Sequence, residues 1–426
     1  MAHTYDEFKI RDGKILLYRR SDSGDNWHCR IKFPSKPYIR RSLKTDSREE
    51  AKQLAEEIFA ELNYKSKRGL AVTSRKFRAV AKSFVEQLDA RVAKDTINDK
   101  RAHDYKLVID RYLIPYFGKK SIDNISDADV ERYREWRKVY WISGEGSKAE
   151  FIEYERGGKL IRSPKRKPKL PSNNTLNKED SVLRQIFQHG RVHGFITQEE
   201  IPIIKNQPVK KNRRPAFDVK EYRRLIRVAY WRYKKAPDEN VAARRRLLHE
   251  YVLFMVNAGT RPIEAATLRW RDVETFTAKN SEGEQQEYIK ISVRGKAKKR
   301  TCVPMPRIAV YLERIKAAQI EHGKQNDFTV EPDDLVFRDR YGKSVKSFKK
   351  GFDELLEASG LTYDNHNLKR SIYSLRHTYA TFRLIYGGVN VYDLAENMGT
   401  SVQMIEKHYG HLKPEDVAER LTRVVM

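Results

Sequence analysis

From about residue 75 onward, apolar residues return every three or four positions through most of the chain, and that period restricts the fold to packed helices. Phe77, Val80, Ala81, Phe84, Val85, Leu88 and Val92 form one stripe. Tyr105, Val108, Ile109, Tyr112 and Leu113 form another, which Pro115 and Gly118 are expected to end. Ser126 can cap a helix carrying Val130, Tyr133 and Trp136, and Leu176, Val182, Leu183, Ile186 and Phe187 mark a later one. Period-two runs are confined to two places. Residues 14–19, 27–33 and 38–43 read as three short strands, followed by a helix that Ser47 and Glu50 open as a capping box. Further strands are expected at about 271–276, 287–294 and 300–305, where Ile289, Ile291 and Val293 alternate with Lys290, Ser292 and Arg294. The expected fold class is therefore mainly α with small β-sheets (α+β).

A chain of 426 residues exceeds what one core usually organises. Three domains are expected: a small sheet plus helix over 1–70, a helical domain over 75–208, and a mostly helical domain with a small sheet and a C-terminal tail helix over 215–426. The basic stretch from Lys205 to Pro215 reads as the linker before the last of these. Residues 142–173, rich in Gly, Ser, Pro and cations, are expected to be a mobile insertion or a loop ordered on DNA.

Charge narrows the partner. Lys and Arg number 86 against 58 Asp and Glu, a formal +28, which points to a polyanion and above all to nucleic acid. Candidate DNA contacts are Arg19, Arg30, Lys32, Arg40 and Arg41 on the N-terminal ribbon, and Lys165, Arg166 and Lys167 in the insertion. Lys210, Lys211, Arg213 and Arg214 in the linker and Lys298 near a hairpin tip complete the set. A solvated basic surface would look the same, so motifs must decide. The two cysteines, Cys29 and Cys302, are isolated, which argues against a disulfide framework or a cysteine-built metal site and fits a reducing compartment. No uncharged apolar stretch approaches the ~20 residues of a membrane span, so a soluble, cytoplasmic protein is expected, with no membrane partner.

Four separated segments carry candidate chemistry. Gly259 can end a helix holding Leu247, Leu248, Tyr251, Val252 and Met255, and Pro262 suits the first turn of the next. Arg261 then sits at a helix start, where its guanidinium joins exposed N–H groups in a phosphate-binding arrangement, or else it pairs with Glu264 on the surface. Lys296, in the tip Arg294-Gly295-Lys296-Ala297-Lys298-Lys299-Arg300, could protonate a departing oxygen, a role Lys298 or Lys299 could also fill, unless the tip is only a solubilising turn. Tyr373 and Arg376, three residues apart on a helix whose packed face is Ile372, Leu375, Tyr379 and Phe382, can converge on one oxyanion. Tyr409 shares a helical face with Val402 and Ile405 and is either a core tyrosine or a phenol aimed into a cleft.

In chain order, Ala258-Gly259-Thr260-Arg261-Pro262-Ile263-Glu264, Arg294-Gly295-Lys296, Tyr373-Ser374-Leu375-Arg376-His377-Thr378-Tyr379-Ala380-Thr381, and Met398-Gly399-Thr400 followed by Tyr409 resemble the motifs of the tyrosine recombinases, the phage-type integrases. These are the first arginine motif, the hairpin lysine, the second arginine box, and the final box with its nucleophile. The resemblance spans about 217–412 and extends more weakly to the helical domain, where Leu183-Arg184-Gln185-Ile186-Phe187 is similar; the first 70 residues resemble an arm-site-binding domain in outline. Two positions depart. Tyr373 stands where the family most often has histidine, and a phenol titrating near ~10 cannot exchange protons at neutral pH. Thr400 stands where histidine or tryptophan is usual, and either donates through its hydroxyl or caps the last helix with Gln403.

The resemblance implies a site-specific recombinase that integrates a phage or genomic island through a 3′-phosphotyrosyl intermediate, with no cofactor, metal or ATP. It further implies a tetramer on paired double-stranded DNA attachment sites, with the helical and catalytic domains enclosing the duplex, and admits DNA-bending accessory proteins as partners. A type IB topoisomerase-like relaxation activity, or a catalytically inactive DNA-binding regulator on the same scaffold, are the alternative readings.

Overall fold

The computed structural model describes residues 3–34, 38–68, 70–156, 158–164, 168–209, 214–280, 282–294, 299–409 and 422. The chain divides into two compact units, Met1–Lys210 and Lys211–Met426.

The first unit opens with an antiparallel sheet of β1 (Thr4–Ile10), β2 (Ile15–Arg20), β3 (Trp27–Ile31) and β4 (Ile39–Ser42), in that spatial order. Within the described residues this is one strand more than the three expected. β1 is an edge strand carrying Asp6, Glu7 and Lys9, charges that protect an edge but erase the alternation a sequence reading depends on. Helix α1 (Arg48–Lys67) begins at Ser47, whose hydroxyl accepts from the Glu50 amide. It lays Ala51, Ala55, Phe59 and Leu62 over Ile15, Leu17, Trp27, Cys29 and Ile31.

A separate core follows, built by α2 (Phe77–Ala93), α3 (Asp99–Val108), α4 (Ile114–Phe117), α5 (Asp127–Val139) and, later, α7 (Asn173–Val192) around Phe77, Phe84, Leu113, Phe117, Tyr133 and Phe187. Pro115 does not end its helix. A π turn over Ile109–Leu113 joins α3 to α4 and widens the spiral just before the residue that lacks an N–H, so the helical path continues to Phe117. Gly118 ends it as the C-cap, at a position where a Cβ would lie 2.4 Å from the Ile114 carbonyl oxygen. Two buried ion pairs, Arg137 with Glu179 and Arg134 with Asp180, each at 2.7 Å, tie α5 to α7.

The insertion is not a bare loop. It holds a short helix, α6 (Glu145–Lys148), and a hairpin of β5 (Phe151–Arg156) and β6 (Lys159–Pro164) with Tyr154 opposite Ile161. Its Phe-Ile-Glu-Tyr and Leu-Ile runs are strand-forming, and Gly158 at φ 71° reverses the chain between them. The Tyr154 ring lies 6.3 Å from His103 on α3, and the Arg162 guanidinium stacks 4.0 Å over Phe151.

In the second unit, Asp218 and Glu221 form a capping box that opens α8 (Val219–Lys234). Helix α9 (Glu239–Ala258) is buried on every side from Leu248 to Ala258 and forms the axis of the unit, with Val252, Phe254 and Met255 meeting Leu225, Ile315, Phe337, Phe352 and Leu375. After α10 (Pro262–Ala266) comes an antiparallel sheet of β7 (Val273–Lys279), β8 (Gln285–Arg294) and β9 (Lys299–Cys302), where Ile291 and Val293 are buried as their alternation requires. The chain continues through α11 (Ile308–Asn326), α12 (Lys349–Ser359), α13 (Tyr373–Ile385), α14 (Val391–Met398) and α15 (Val402–Tyr409). Arg370, just ahead of α13, is a structural cation. Its buried guanidinium stacks 4.7 Å over Phe217, bonds both Glu221 carboxylate oxygens at 2.7 Å, and donates to the carbonyls of Ala216, Leu361 and Tyr363.

Candidate active site

Gly259 ends α9 in the left-handed conformation, φ 62°, and a Cβ there would fall 2.2 Å from the Tyr379 ring. That turn delivers Arg261 to the N-cap of α10, where Pro262 occupies the first turn. The Arg261 amide donates to one oxygen of Glu264 at 2.8 Å and its Nη1 to the other at 2.6 Å, so the pairing with Glu264 does occur, but with a buried carboxylate rather than on the surface.

The last carbonyls of α14 gather three arginines. A helix end leaves its final carbonyls without intrahelical donors and carries the negative end of the helix dipole, so cations belong there. Arg300 Nη1 donates to Asn397 O, Arg376 Nη2 to Met398 O at 2.7 Å, and Arg261 Nη2 to Gly399 O. Arg376 also donates to the Gly259 carbonyl through Nη1, which ties the second arginine to the turn that positions the first. Arg300 Nη2 reaches Glu264 at 2.7 Å, so two arginines share that carboxylate. Burial alone would raise the Glu264 carboxyl, but the Arg261 amide and the two guanidiniums more than offset it and hold it below the usual carboxylate range. Three guanidiniums gathered at one helix end, with a single carboxylate shared by two of them, leave a positive surplus.

Arg300 was legible only as one cation of a hairpin tip. The structure instead makes it the link between β9, Glu264 and α14, and Asn397 supports it by accepting from the Val303 amide and donating to Tyr379 Oη at 2.9 Å. Nothing in local spacing signals either residue, since their partners lie far away in sequence. The Cys302 thiol beside Arg300 is buried and pushed up to about 11 by that burial, and Cys29 likewise, so neither is a nucleophile at neutral pH.

Tyr373 opens α13 with an exposed ring, 6.4 Å from that of His377, whereas Arg376 is buried. Thr400 does not cap the last helix. Its amide continues the α14 turn to Ala395 O, and Ser401 caps α15 by accepting from the Met404 amide at 3.3 Å. α15 is held by Ile405, buried against Tyr379, Leu384, Leu394 and Met398. The backbone of Tyr409 closes that helix. The side chain of Tyr409, the tip with Lys296 and Lys298, and Lys165, Arg166, Lys167, Lys210, Lys211 and Arg213 lie outside the described residues.

Of the remaining cations, Arg30 and Arg40 face each other across β3 and β4, and Arg30 and Lys32 approach the Tyr38 ring at 4.9 and 5.8 Å, making one basic cluster on the sheet. Arg19 does not join it. It lies opposite Trp27, stacks 4.8 Å from that ring and donates to Asp46 O, which makes it a brace on the other face. Arg41 pairs with Cys29 on that same face, exposed at the edge, and Arg214 is exposed.

Among the described residues no group of three or more His, Cys, Asp or Glu is placed to hold a metal, and no helix is long and apolar enough to cross a membrane. The phage integrase family profile matches residues 217–416, and the phage integrase N-terminal domain profile matches 16–66. No curated protein sequence matches the chain. Among solved structures, the Tn1549 transposon integrase in complex with a circular intermediate DNA is 13% identical, with a TM-score of 0.54 over 83% of this chain and 100% of that one. A lambda integrase dimer bound to a COC′ core site is 14% identical, with a TM-score of 0.51 over 96% of each chain. These likenesses establish the fold, and with both profiles together spanning more than half of its length, the chain belongs to the phage integrase family of tyrosine site-specific recombinases.

Proposed function

We propose that the chain cuts and rejoins duplex DNA through a 3′-phosphotyrosyl link formed by Tyr409, and so integrates a mobile element such as a phage or genomic island. The observation that carries this reading is the set of three guanidiniums on the final carbonyls of α14, immediately ahead of the helix that ends in Tyr409. The Tyr409 phenol oxygen attacks the scissile phosphorus and gives its proton to solvent water as the bond to the 5′ oxygen breaks, and that water-borne proton restores the Lys296 ammonium. That oxygen leaves as a hydroxyl with a proton from the Lys296 ammonium. Arg261, whose remaining N–H donors are not used by Glu264 or Gly399, and Arg376 neutralise the nonbridging oxygens as charge builds in the transition state. Arg300 positions both through Glu264 and α14. Tyr373 adds a neutral hydrogen-bond donor, and with Ser401 as the cap the Thr400 hydroxyl is available to donate as well. Rejoining is the same displacement run backwards by another 5′-hydroxyl, so the bond energy is kept and ATP is not consumed.

The partner is double-stranded DNA at attachment sites, in keeping with the +28 charge and with the DNA complexes of the similar integrases. The segment 1–70 would bind arm sites through the Arg30, Lys32 and Arg40 cluster, 75–208 the core site, and 215–426 would carry the chemistry in a tetramer. The deciding experiment incubates the chain with nicked duplexes that trap the cleaved product. A covalent protein–DNA adduct that survives EDTA and disappears in Tyr409→Phe, with binding retained, supports this reading. Binding without adduct in the wild type would make the chain a regulator, and relaxation without strand exchange a topoisomerase.

A further inference from the structure

The second unit contains a cavity of about 530 Å³ between α8, the N-terminal half of α9, α11, α12 and the loop ahead of α12, at the opposite end of α9 from Arg261. That volume accommodates one small organic molecule. Its lining is chemically divided. Leu248, Ile315, Val345 and Phe348 give it an apolar wall, and the Phe348 ring is already stacked on Tyr251 at 4.1 Å. Opposite charges do not balance on the rest: among the described residues eight arginine and lysine side chains line the cavity against three carboxylates, Glu250, Asp339 and Glu354, and one of the eight, Arg338, is neutralised from outside the lining by Asp334 at 2.8 Å.

Those carboxylates do little to neutralise it. Asp339 accepts from the amides of Tyr341 and Lys343, both at 2.9 Å. Arg232 is 3.6 Å from Glu354, and Arg314 is 3.9 Å from Glu250, lengths at which an ion pair is loose. Arg340 bonds Glu239, Asn240 and Gln325 at 3.3 to 3.4 Å and lies 5.7 Å over the Tyr341 ring. Arg232 is held below its ordinary value by burial and by the neighbouring Arg245, which together outweigh the opposing pull of Glu354. One acceptor is also left over. Glu250 is more than nine-tenths buried, and its Oε2 has no hydrogen-bond partner although the residue lines the cavity. A buried carboxylate oxygen without a donor costs stability unless a ligand supplies one.

An apolar wall, a surplus of guanidiniums and one orphaned acceptor are complementary to a flat base, a phosphate chain and a hydroxyl or amino donor in a single molecule. We propose that this cavity binds a free nucleotide, with phosphates on Arg232, Arg314 and Arg340, the base against Phe348 and Ile315, and a donor group on Glu250 Oε2. The inference concerns binding alone and does not depend on the chemistry of Tyr409.

The test is calorimetric titration of the full chain in EDTA with ATP, AMP, adenosine and inorganic tripolyphosphate. ATP should bind saturably and more tightly than either adenosine or tripolyphosphate. The Arg314→Ala/Arg340→Ala variant should weaken ATP by about tenfold or more, while its affinity for duplex DNA stays unchanged. Ala318→Phe, which fills the cavity and keeps every charge, should weaken ATP to the same degree, and circular dichroism identical to wild type shows that each variant is folded. No saturable ATP binding, tripolyphosphate binding as tightly as ATP, or unchanged ATP affinity in the two variants would each overturn the proposal. A short 5′-phosphorylated single strand that outcompetes ATP and is lost in the same variants would overturn the free-nucleotide assignment as well.

Discussion

Arg261 and Arg376 donate to adjacent carbonyl oxygens, those of Gly399 and Met398. Two guanidiniums from segments far apart in the chain are thereby brought to one helix end, and Arg300 takes the next carbonyl back along it, that of Asn397. Anchoring of this kind fixes where each fork points before any phosphate arrives, which is the condition for electrostatic stabilisation without reorganisation.

The fork at position 376 is therefore needed as a shape and not only as a charge. Arg376→Lys keeps the cation, but one ammonium cannot reproduce the planar grip on Gly259 O and Met398 O. The rate of adduct formation should fall by about 10²–10³-fold, measured by single-turnover quench, while DNA affinity changes little. A rate close to wild type would remove Arg376 from the proposed phosphate clamp.

Arg300 and Glu264 should prove energetically coupled. Urea unfolding of the wild type, Arg300→Gln, Glu264→Gln and the double variant forms a closed cycle, and an interaction energy of about 0.5–3 kcal/mol is expected for groups in one buried network. Simple additivity of the two single effects would mean that the shared carboxylate does not hold β9 to α10.

Gly259→Ala and Gly388→Ala separate conformation from collision. Both glycines have φ of +62°, but nothing lies within 4 Å of a Cβ at 388, whereas at 259 the Tyr379 ring is 2.2 Å away. Left-handed backbone alone should cost Gly388→Ala about 1–2 kcal/mol. Gly259→Ala should cost measurably more, read as the difference between the two urea midpoints, and equal costs would show that the ring gives way freely.

Acid should reveal the Glu264 carboxyl. Its folded pKa lies below its unfolded one, so its contribution is complete above the unfolded value of about 4.3 and is lost as pH falls through the folded value. The stability gap between wild type and Glu264→Gln should therefore be widest near about pH 6 and narrow toward about pH 3. A gap independent of pH, from urea midpoints across that range, would contradict the assignment.

Much of this architecture is local and can be read from spacing. The stripes around Phe77–Val92 and Leu176–Phe187 declare helices because one face is apolar, and Ile289, Ile291 and Val293 declare a strand for the same reason. The motif arginines were legible because Gly259 and Pro262 flank one of them and a helical stripe surrounds the other. What escaped depends on partners distant in the chain. β1 exists because β2 offers it an edge, and its own charges hide it. The helix through Pro115 persists because of a π turn that no residue type announces. Arg300 and Arg370 look alike in sequence to any other basic residue, and only Glu264 and Glu221 distinguish them.

The end of α14 that grips the arginines is also the base from which α15 departs. Helix α15 is eight residues long, begins after Ser401 and ends at Tyr409, so the helix end that receives the three arginines is joined through Gly399, Thr400 and Ser401 alone to the helix that carries the proposed nucleophile. On the function proposed above, a shift of the α14 end would release the forks and, through that short joint, displace Tyr409 with them. If that function holds, idle molecules carry every proposed catalytic group and are still harmless, with a single mechanical interlock between storage and strand cutting.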